Sequence, residues 1–403
     1  MYMKLIAGLD IGNGYIKGQI EGNTLADIDM PSGVALVTRT HDMKVQEPDI
    51  PDVLANIYNE LDVSFSSPLI ESDLRYLFGQ RGIHSGNSMM EFDVYGSASK
   101  AEQQLSFILT LGCIAGKALQ EYYEQNKALP TSVIKTNVTV ALALPIGEYM
   151  KYRNSYANGY KQGSHVVDIH NFEQPVRVEI TFDDVKVIAE GASAQVAIKD
   201  KGEQFMAAML ADVRRMGEPL EGIQPSDVLA ANNTLGVDIG EGTVNFPVFQ
   251  NGQFNPDASD TFNKGYGAVL NAAVDRLKDM GFPIRSRKEL QDFLNTPPSA
   301  LNANKYRKVQ NVVDEEITGF VTEVAMQFSK VLARVQTFNE VVYVYGGGAT
   351  PVRNELYPML IEKVKTGEDM MCPILYLDSR YSRYLNREGL FVYAKHYSKN
   401  TKK

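Results

Sequence analysis

The chain has 403 residues, 40 basic and 49 acidic side chains, a net charge of −9 and an apolar fraction of 44%. This composition suits a soluble globular protein of two or more cored domains, and the acidic balance argues against direct binding of nucleic-acid phosphates, which needs a basic face. Cys113 and Cys372 stand in apolar surroundings and read as free thiols of a reducing compartment. The start MYMKLIAGLDIG lacks the apolar core of a secretory leader, and no apolar run reaches the roughly 20 residues of a membrane span, so a cytoplasmic location without a membrane partner is expected.

The first element in chain order is GLDIGNGYIKG, residues 8–18. Asn13-Gly14 between strand-like runs signals a two-residue hairpin turn of the kind in which both central residues take φ > 0. That explains the glycines and leaves Asp10, a carboxylate at the end of an apolar strand, in need of a partner. The spacing of a P-loop is absent, and Lys17 stands where a dinucleotide fingerprint needs its last glycine. Residues 22–98 include polar, turn-rich stretches and read as a small inserted lobe. Residues 99–125 carry apolar positions at helical spacing, and Asn137–Leu144 reads as a buried strand stopped by Pro145. Val176–Ile180 and Val185–Ile188 read as a hairpin joined at Asp183-Asp184.

A second stretch, LGVDIGEGTVNF at 235–246, repeats the D-I-G-x-G of the first. Chance likeness of two hairpins is one reading. The shared aspartate before the turn favours duplication, with two related domains whose turns face each other across a cleft. Gly265–Met280 is helical in pattern, Asn295–Ser299 is a break, and Lys305–Val335 is the longest helix, with Val309, Val313, Phe320, Val324, Phe328 and Val331 as its buried stripe. Val341–Tyr345 is a strand, followed by Gly346-Gly347-Gly348-Ala349 and a helix with Thr350 as N-cap and Pro351 at its first position. A tight crossover uses one glycine; three let a backbone or a flat ligand approach closely.

Three glycine turns, two with an aspartate, suit a nucleotide held between two domains. Backbone N–H groups of Gly12, Asn13, Gly14 and Tyr15, and of Gly240, Glu241, Gly242 and Thr243, would meet the β- and γ-phosphates, with Lys17 adding charge. Asp10 and Asp238 would hold Mg²⁺ through its waters, which gives the carboxylates their partner.

With these motifs in order, the sequence resembles the superfamily of actin, the sugar kinases and the heat-shock ATPases. Asp10 through Lys17 resembles its first phosphate motif, Asp238 through Thr243 its second, and Gly346, Gly347, Gly348 and Ala349 its adenosine motif. Within it, Ala143–Tyr149 (ALPIGEY), Asp184–Glu190 (DVKVIAE) and Tyr381–Tyr397 are similar to segments of the bacterial plasmid-segregation actins of the ParM type. The resemblance implies an α/β fold of two duplicated actin-like (ribonuclease H-like) domains around a nucleotide cleft. Domain I would take residues 1–150 and 377–403 with a lobe at 22–98, and domain II residues 151–376 with a lobe at 268–338.

The resemblance further implies an ATPase using ATP and magnesium, with Glu148 and Asp238 catalytic. Glu148 would orient the water that attacks the γ-phosphate; by spacing alone it reads as a solvated residue starting a helix. It implies head-to-tail filaments that form on ATP, weaken on hydrolysis and segregate plasmid DNA through a ParR-like DNA-binding adaptor on a centromere-like site, with no direct nucleic-acid contact. Two departures stand out: Asn245 where the family usually has a second aspartate, and Glu241 at a turn position usually held by a small residue. The alternatives are a small-metabolite kinase of the same fold, for which no acceptor pocket is marked, and a membrane-tethered division or shape scaffold, for which the C-terminal stretch is a poor amphipathic helix. The five histidines are scattered without zinc spacing, no G-x-S-x-G elbow occurs, and the basic tail 395–403 reads as a frayed end.

Overall fold

The computed structural model describes residues 2–37, 44–71, 74–93, 98–215, 220, 222–335, 339–366, 369–370 and 372–400. His41, part of the loose 79–98 stretch and residues 401–403 of the basic tail lie outside the described residues. The chain forms two compact units, Met1–Asp200 with Tyr384–Lys403, and Lys201–Arg383.

The first unit is built on a ten-stranded sheet. Its strands are β1 (Tyr2–Ile11), β2 (Tyr15–Glu21), β3 (Leu25–Pro31), β4 (Val34–Leu36), β5 (Asp62–Ser66), β6 (Arg75–Phe78), β7 (Met89–Met90), β8 (Ile134–Leu144), β9 (His165–Ile169) and β10 (Val176–Ala189), in the spatial order β3-β2-β1-β8-β10-β9-β5-β6-β4-β7. The strands of 22–98 thus extend the main sheet, through β5 against β9, and share its core. β8 is parallel to both β1 and β10, and that pairing carries the unit past the expected boundary at 150, out to Asp200. The expected hairpin at Asp183-Asp184 is instead one strand, β10. A bulge between Phe182 and Asp184 lets the chain absorb one extra residue and continue alongside β8.

The alternation of β8 decides what lies on each face. Val138, Val140, Leu142 and Leu144 point into the main core with the helix Gln104–Asn126, which is buried nearly all round. Ala141 and Ala143 point the other way and, being small, admit Leu390 and Ala394 of the helix Leu385–Asn400. Gly8 on β1 completes that face: a Cβ there would stand 2.3 Å from the Phe391 nitrogen. The C-terminal helix packs on the first unit, and the unit takes the chain back at Tyr384, where the resemblance implied a return at 377.

The second unit centres on β11 (Thr234–Ile239). One edge of β11 pairs antiparallel with β12 (Val244–Phe246) at its end and β13 (Val248–Gln250) at its start; β14 (Gln253–Phe254) and β15 (Asp260–Phe262) extend that side. Parallel to β11 run β16 (Val341–Tyr345) and then β17 (Ile374–Tyr376). Helices Tyr266–Asp279, Ala303–Val335 and Ala349–Val364 share one apolar core with this sheet, so the first two, which occupy much of the expected lobe at 268–338, pack into the unit's main core. Arg287–Asn295 ends where the expected break begins, and Ala303–Val335 buries the whole predicted stripe.

One buried ion pair ties the β2–β3 turn to the helix Gln104–Asn126. Lys117 Nζ lies 2.6 Å from Glu121 Oε1, both nearly inaccessible, and Glu121 accepts the N–H groups of Asn23 and Thr24 at 3.0 and 3.1 Å. Replacing Lys117 by Met should cost about 3 kcal/mol or more in urea unfolding, since it strands a buried carboxylate. Lys365→Met, which breaks an exposed pair with Glu362, should change stability by under about 1 kcal/mol.

Candidate functional site

The two repeated stretches fold into the same strand–turn–strand unit in the same register. In the first unit Asp10 stands opposite Lys17 and Ile11 opposite Ile16, and the Gly12 N–H donates to the Tyr15 carbonyl at 3.0 Å. In the second, Asp238 stands opposite Asn245 and Ile239 opposite Val244, and the Gly240 N–H donates to the Thr243 carbonyl at 2.9 Å. Each turn thus places one carboxylate two residues before the bend. It also takes up its first glycine N–H internally, leaving Asn13-Gly14 and Glu241-Gly242 at the tips.

The expected positive φ at Asn13 and Gly14 is not found; neither is among the residues with left-handed backbone. Ser32, which the sequence did not mark, shapes this turn instead: its Oγ donates to the Gly12 carbonyl at 2.5 Å and its N–H to the Gly14 carbonyl at 3.0 Å.

Around Lys100 the first unit gathers three carboxylates, Asp10, Glu148 and Glu190, and Lys17 stands opposite Asp10. Glu148 sits in the first turn of the helix Ile146–Lys161, directly after Pro145, and is half-buried rather than fully solvated. Its Oε2 accepts the Ala101 N–H at 3.4 Å, and the Lys100 N–H also bears on it. Lys100 Nζ lies 2.7 Å from Glu190 Oε1, and both side chains are nearly buried. Burial raises the Asp10 carboxyl above its ordinary range, Glu190 adds to the rise, and Lys100 and Lys17 oppose it. Burial likewise raises Glu148, opposed by the Lys100 and Ala101 amides and the Lys100 charge. Burial works to lower the Lys100 ammonium, but Glu190 and Asp10 outweigh it and the net shift is upward. Neither Lys100, in a run with helical spacing, nor Glu190, at the end of a strand-like stretch, is marked by a motif as a site residue.

In the second unit Asp238 is buried on the central strand. Asn245 is buried opposite it, accepting from Thr261 Oγ1 at 2.8 Å and donating to Thr243 Oγ1 at 3.3 Å. An aspartate at 245 would set two carboxylates across one rung, a repulsion the amide avoids. Glu241, the other departure, has its carboxylate held by Arg287 and its carbonyl by the Gly267 N–H at 2.8 Å.

The third glycine cluster rests on the end of β11. Gly346 has φ 100° and a Cβ there would meet the Ile239 carbonyl at 2.4 Å, while the Gly348 N–H donates to that carbonyl at 2.8 Å. Close backbone packing thus accounts for two of the three glycines, and Gly347 remains exposed. The helix starts earlier than its sequence indicated: Gly348 is the N-cap and Ala349 the first residue, with Pro351 still in the first turn where no N–H is required. Ala349 is fully buried, and its carbonyl accepts the Tyr376 hydroxyl at 2.5 Å.

Among the described residues no group of three or more His, Cys, Asp or Glu could hold a metal, and no helix is long and apolar enough to cross a membrane. A single carboxylate beside each glycine turn does not make a protein-only metal cage; each would suit only an ion that keeps most of its water.

Residues 8–192 match the family model for the N-terminal domain of actin-like proteins, and residues 236–357 match that for the C-terminal part of the archaeal MreB-like actin homologue. The fold is that of the actin-like proteins, a two-domain α/β architecture. Among solved structures the chain resembles the actin-like protein Alp7A at a TM-score of 0.67 and 16% identity, covering 100% of this chain and 98% of that one. It resembles Bacillus thuringiensis ParM with AMPPNP at 0.60 and 15%, covering 98% and 99%, and the archaeal actin homologue Ta0583 at 0.62 and 11%, also covering 98% and 99%. No curated protein matches the sequence significantly.

Gly346→Ala should lower the stability of the second unit by about 2 kcal/mol, because it adds backbone strain to a clash with Ile239. Hydrogen exchange under mild denaturant should show faster opening in 234–262 and unchanged protection in 134–189.

Proposed function

We propose that the protein is an actin-like ATPase that polymerises on binding ATP and segregates plasmid DNA through a DNA-binding adaptor. The observation that carries the reading is the repeated turn, with the same register, the same internal glycine hydrogen bond and an aspartate at the same rung in each unit. The N–H groups of the tips, Asn13-Gly14 and Glu241-Gly242, and of Tyr15 and Thr243 that follow them, are offered to the β- and γ-phosphates, with Lys17 as a point charge. Gly347, exposed beside the N-terminus of the helix Ala349–Val364, is offered to the adenosine. Asp10 and Asp238 would hold Mg²⁺ through water, and the ion would neutralise charge on the phosphates. Glu148 accepts a proton from the attacking water, its carboxylate held by the amides before the helix Gln104–Asn126.

ATP-dependent head-to-tail association of one surface with a different one does not close on itself and so grows as a filament. Hydrolysis then weakens the lattice. The net charge of −9 supports leaving DNA contact to an adaptor of the ParR kind. The ATP, ADP and AMPPNP complexes of Bacillus thuringiensis ParM support the choice of nucleotide.

Light scattering after MgATP addition, with phosphate release followed in the same cuvette, should rise and then decay as phosphate appears. A flat trace at high protein concentration overturns the filament reading. Glu148→Gln should cut phosphate release about 100-fold or more and leave a polymer that persists. Because burial raises the Glu148 carboxyl above the ordinary 4.5, the wild-type rate should fall as pH drops through that raised value, where the base is protonated, and the Gln variant should lose this dependence.

A further inference from the structure

Resting on that reading, we infer that Lys100 is a positioning residue for the hydrolytic step, holding the loop that orients Glu148. Lys100 precedes the helix Gln104–Asn126 and is 5% exposed, although a lysine is seldom buried without cause. Its ammonium reaches back to Glu190 Oε1 at 2.7 Å. Glu190 is fixed to the sheet, since its N–H donates to the Leu144 carbonyl at 2.7 Å, one residue before Pro145 and the helix that carries Glu148. The Lys100 carbonyl accepts the Ser106 hydroxyl at 2.8 Å, which closes the loop from the helix side.

Three separate segments are therefore tied at one point. The loop is pinned by the Lys100 side chain to the end of β10, and from that pinned loop the Lys100 and Ala101 amides turn to the Glu148 carboxylate. Without the pin the amides lose their fixed place, and Glu148 loses the donors that set its orientation. Asp10 lies within electrostatic reach of the same ammonium. The sheet end, the carboxylate at the first turn and the base at the helix start thus share one cation.

A buried ion pair can be purely structural, and replacing both partners with neutral groups is then often harmless. The test separates the two roles. Lys100→Met should lower kcat at least about tenfold with KM for MgATP within about twofold, since positioning acts on the chemical step rather than on binding. Lys100→Met with Glu190→Gln should regain thermal stability without regaining kcat. Lys100→Met placed on Glu148→Gln should cause no further loss, because both act through one carboxylate. In the nucleotide-free protein, amide exchange over residues 98–103 should speed up about tenfold in Lys100→Met while 104–126 stays protected.

Recovery of kcat in the double neutral variant, additive losses with Glu148→Gln, or unchanged exchange over 98–103 would each overturn the inference. If the wild-type protein hydrolyses no nucleotide, the functional reading fails by itself, and the exchange measurement still decides whether Lys100 pins the loop.

Discussion

Everything proposed for this molecule depends on the register of two short antiparallel pairings. Because Ile11 faces Ile16 and Ile239 faces Val244, the side chains at Asp10 and Asp238 fall on the rung next to the bend in both units. A one-residue slip in either pairing would send that carboxylate to the opposite face of its sheet. The register is held by ordinary means. The strands carry large apolar residues inward, and β8 and β16 lie parallel to β1 and β11 along most of their length. The placement of the two carboxylates is thus a by-product of well-packed sheet centres, which fix a side chain rigidly at the cost of desolvating it.

The two copies have diverged in what surrounds the shared frame. The first unit adds cations, with Lys17 opposite its aspartate and Lys100 buried on Glu190, and it supplies Glu148. The second places a neutral amide opposite its aspartate and anchors its turn by the Glu241–Arg287 pair and by Gly346 and Gly348 pressed on Ile239. The first unit therefore surrounds its aspartate with charged groups, and the second surrounds its own with a neutral amide and close-packed glycines.

Much of this was legible in the sequence, for identifiable reasons. The D-I-G-x-G repeats mark the place of both turns, the long helix Ala303–Val335 carries an unbroken 3.6-residue stripe, and the strand before Pro145 is a continuous apolar run. What escaped was non-local. The bulge that makes Val176–Ala189 one strand exists because β8 runs alongside it, and nothing in Asp183-Asp184 itself distinguishes a bulge from a turn. Ser32 shapes the first turn from the residue after β3, and Lys100 meets Glu190 ninety positions along the chain. By sequence alone the glycine run Gly346–Gly348 offers room for a ligand, and two of its members are needed for close contact with Ile239.

The central claim is that both turns serve one nucleotide. Calorimetric titration of MgATP into the wild-type chain and into Asp10→Asn and Asp238→Asn tests it most directly. The account predicts one nucleotide per chain and a loss of affinity of about tenfold or more in each variant, although the two aspartates belong to different units. Two nucleotides per chain, or wild-type affinity in either variant, would contradict it.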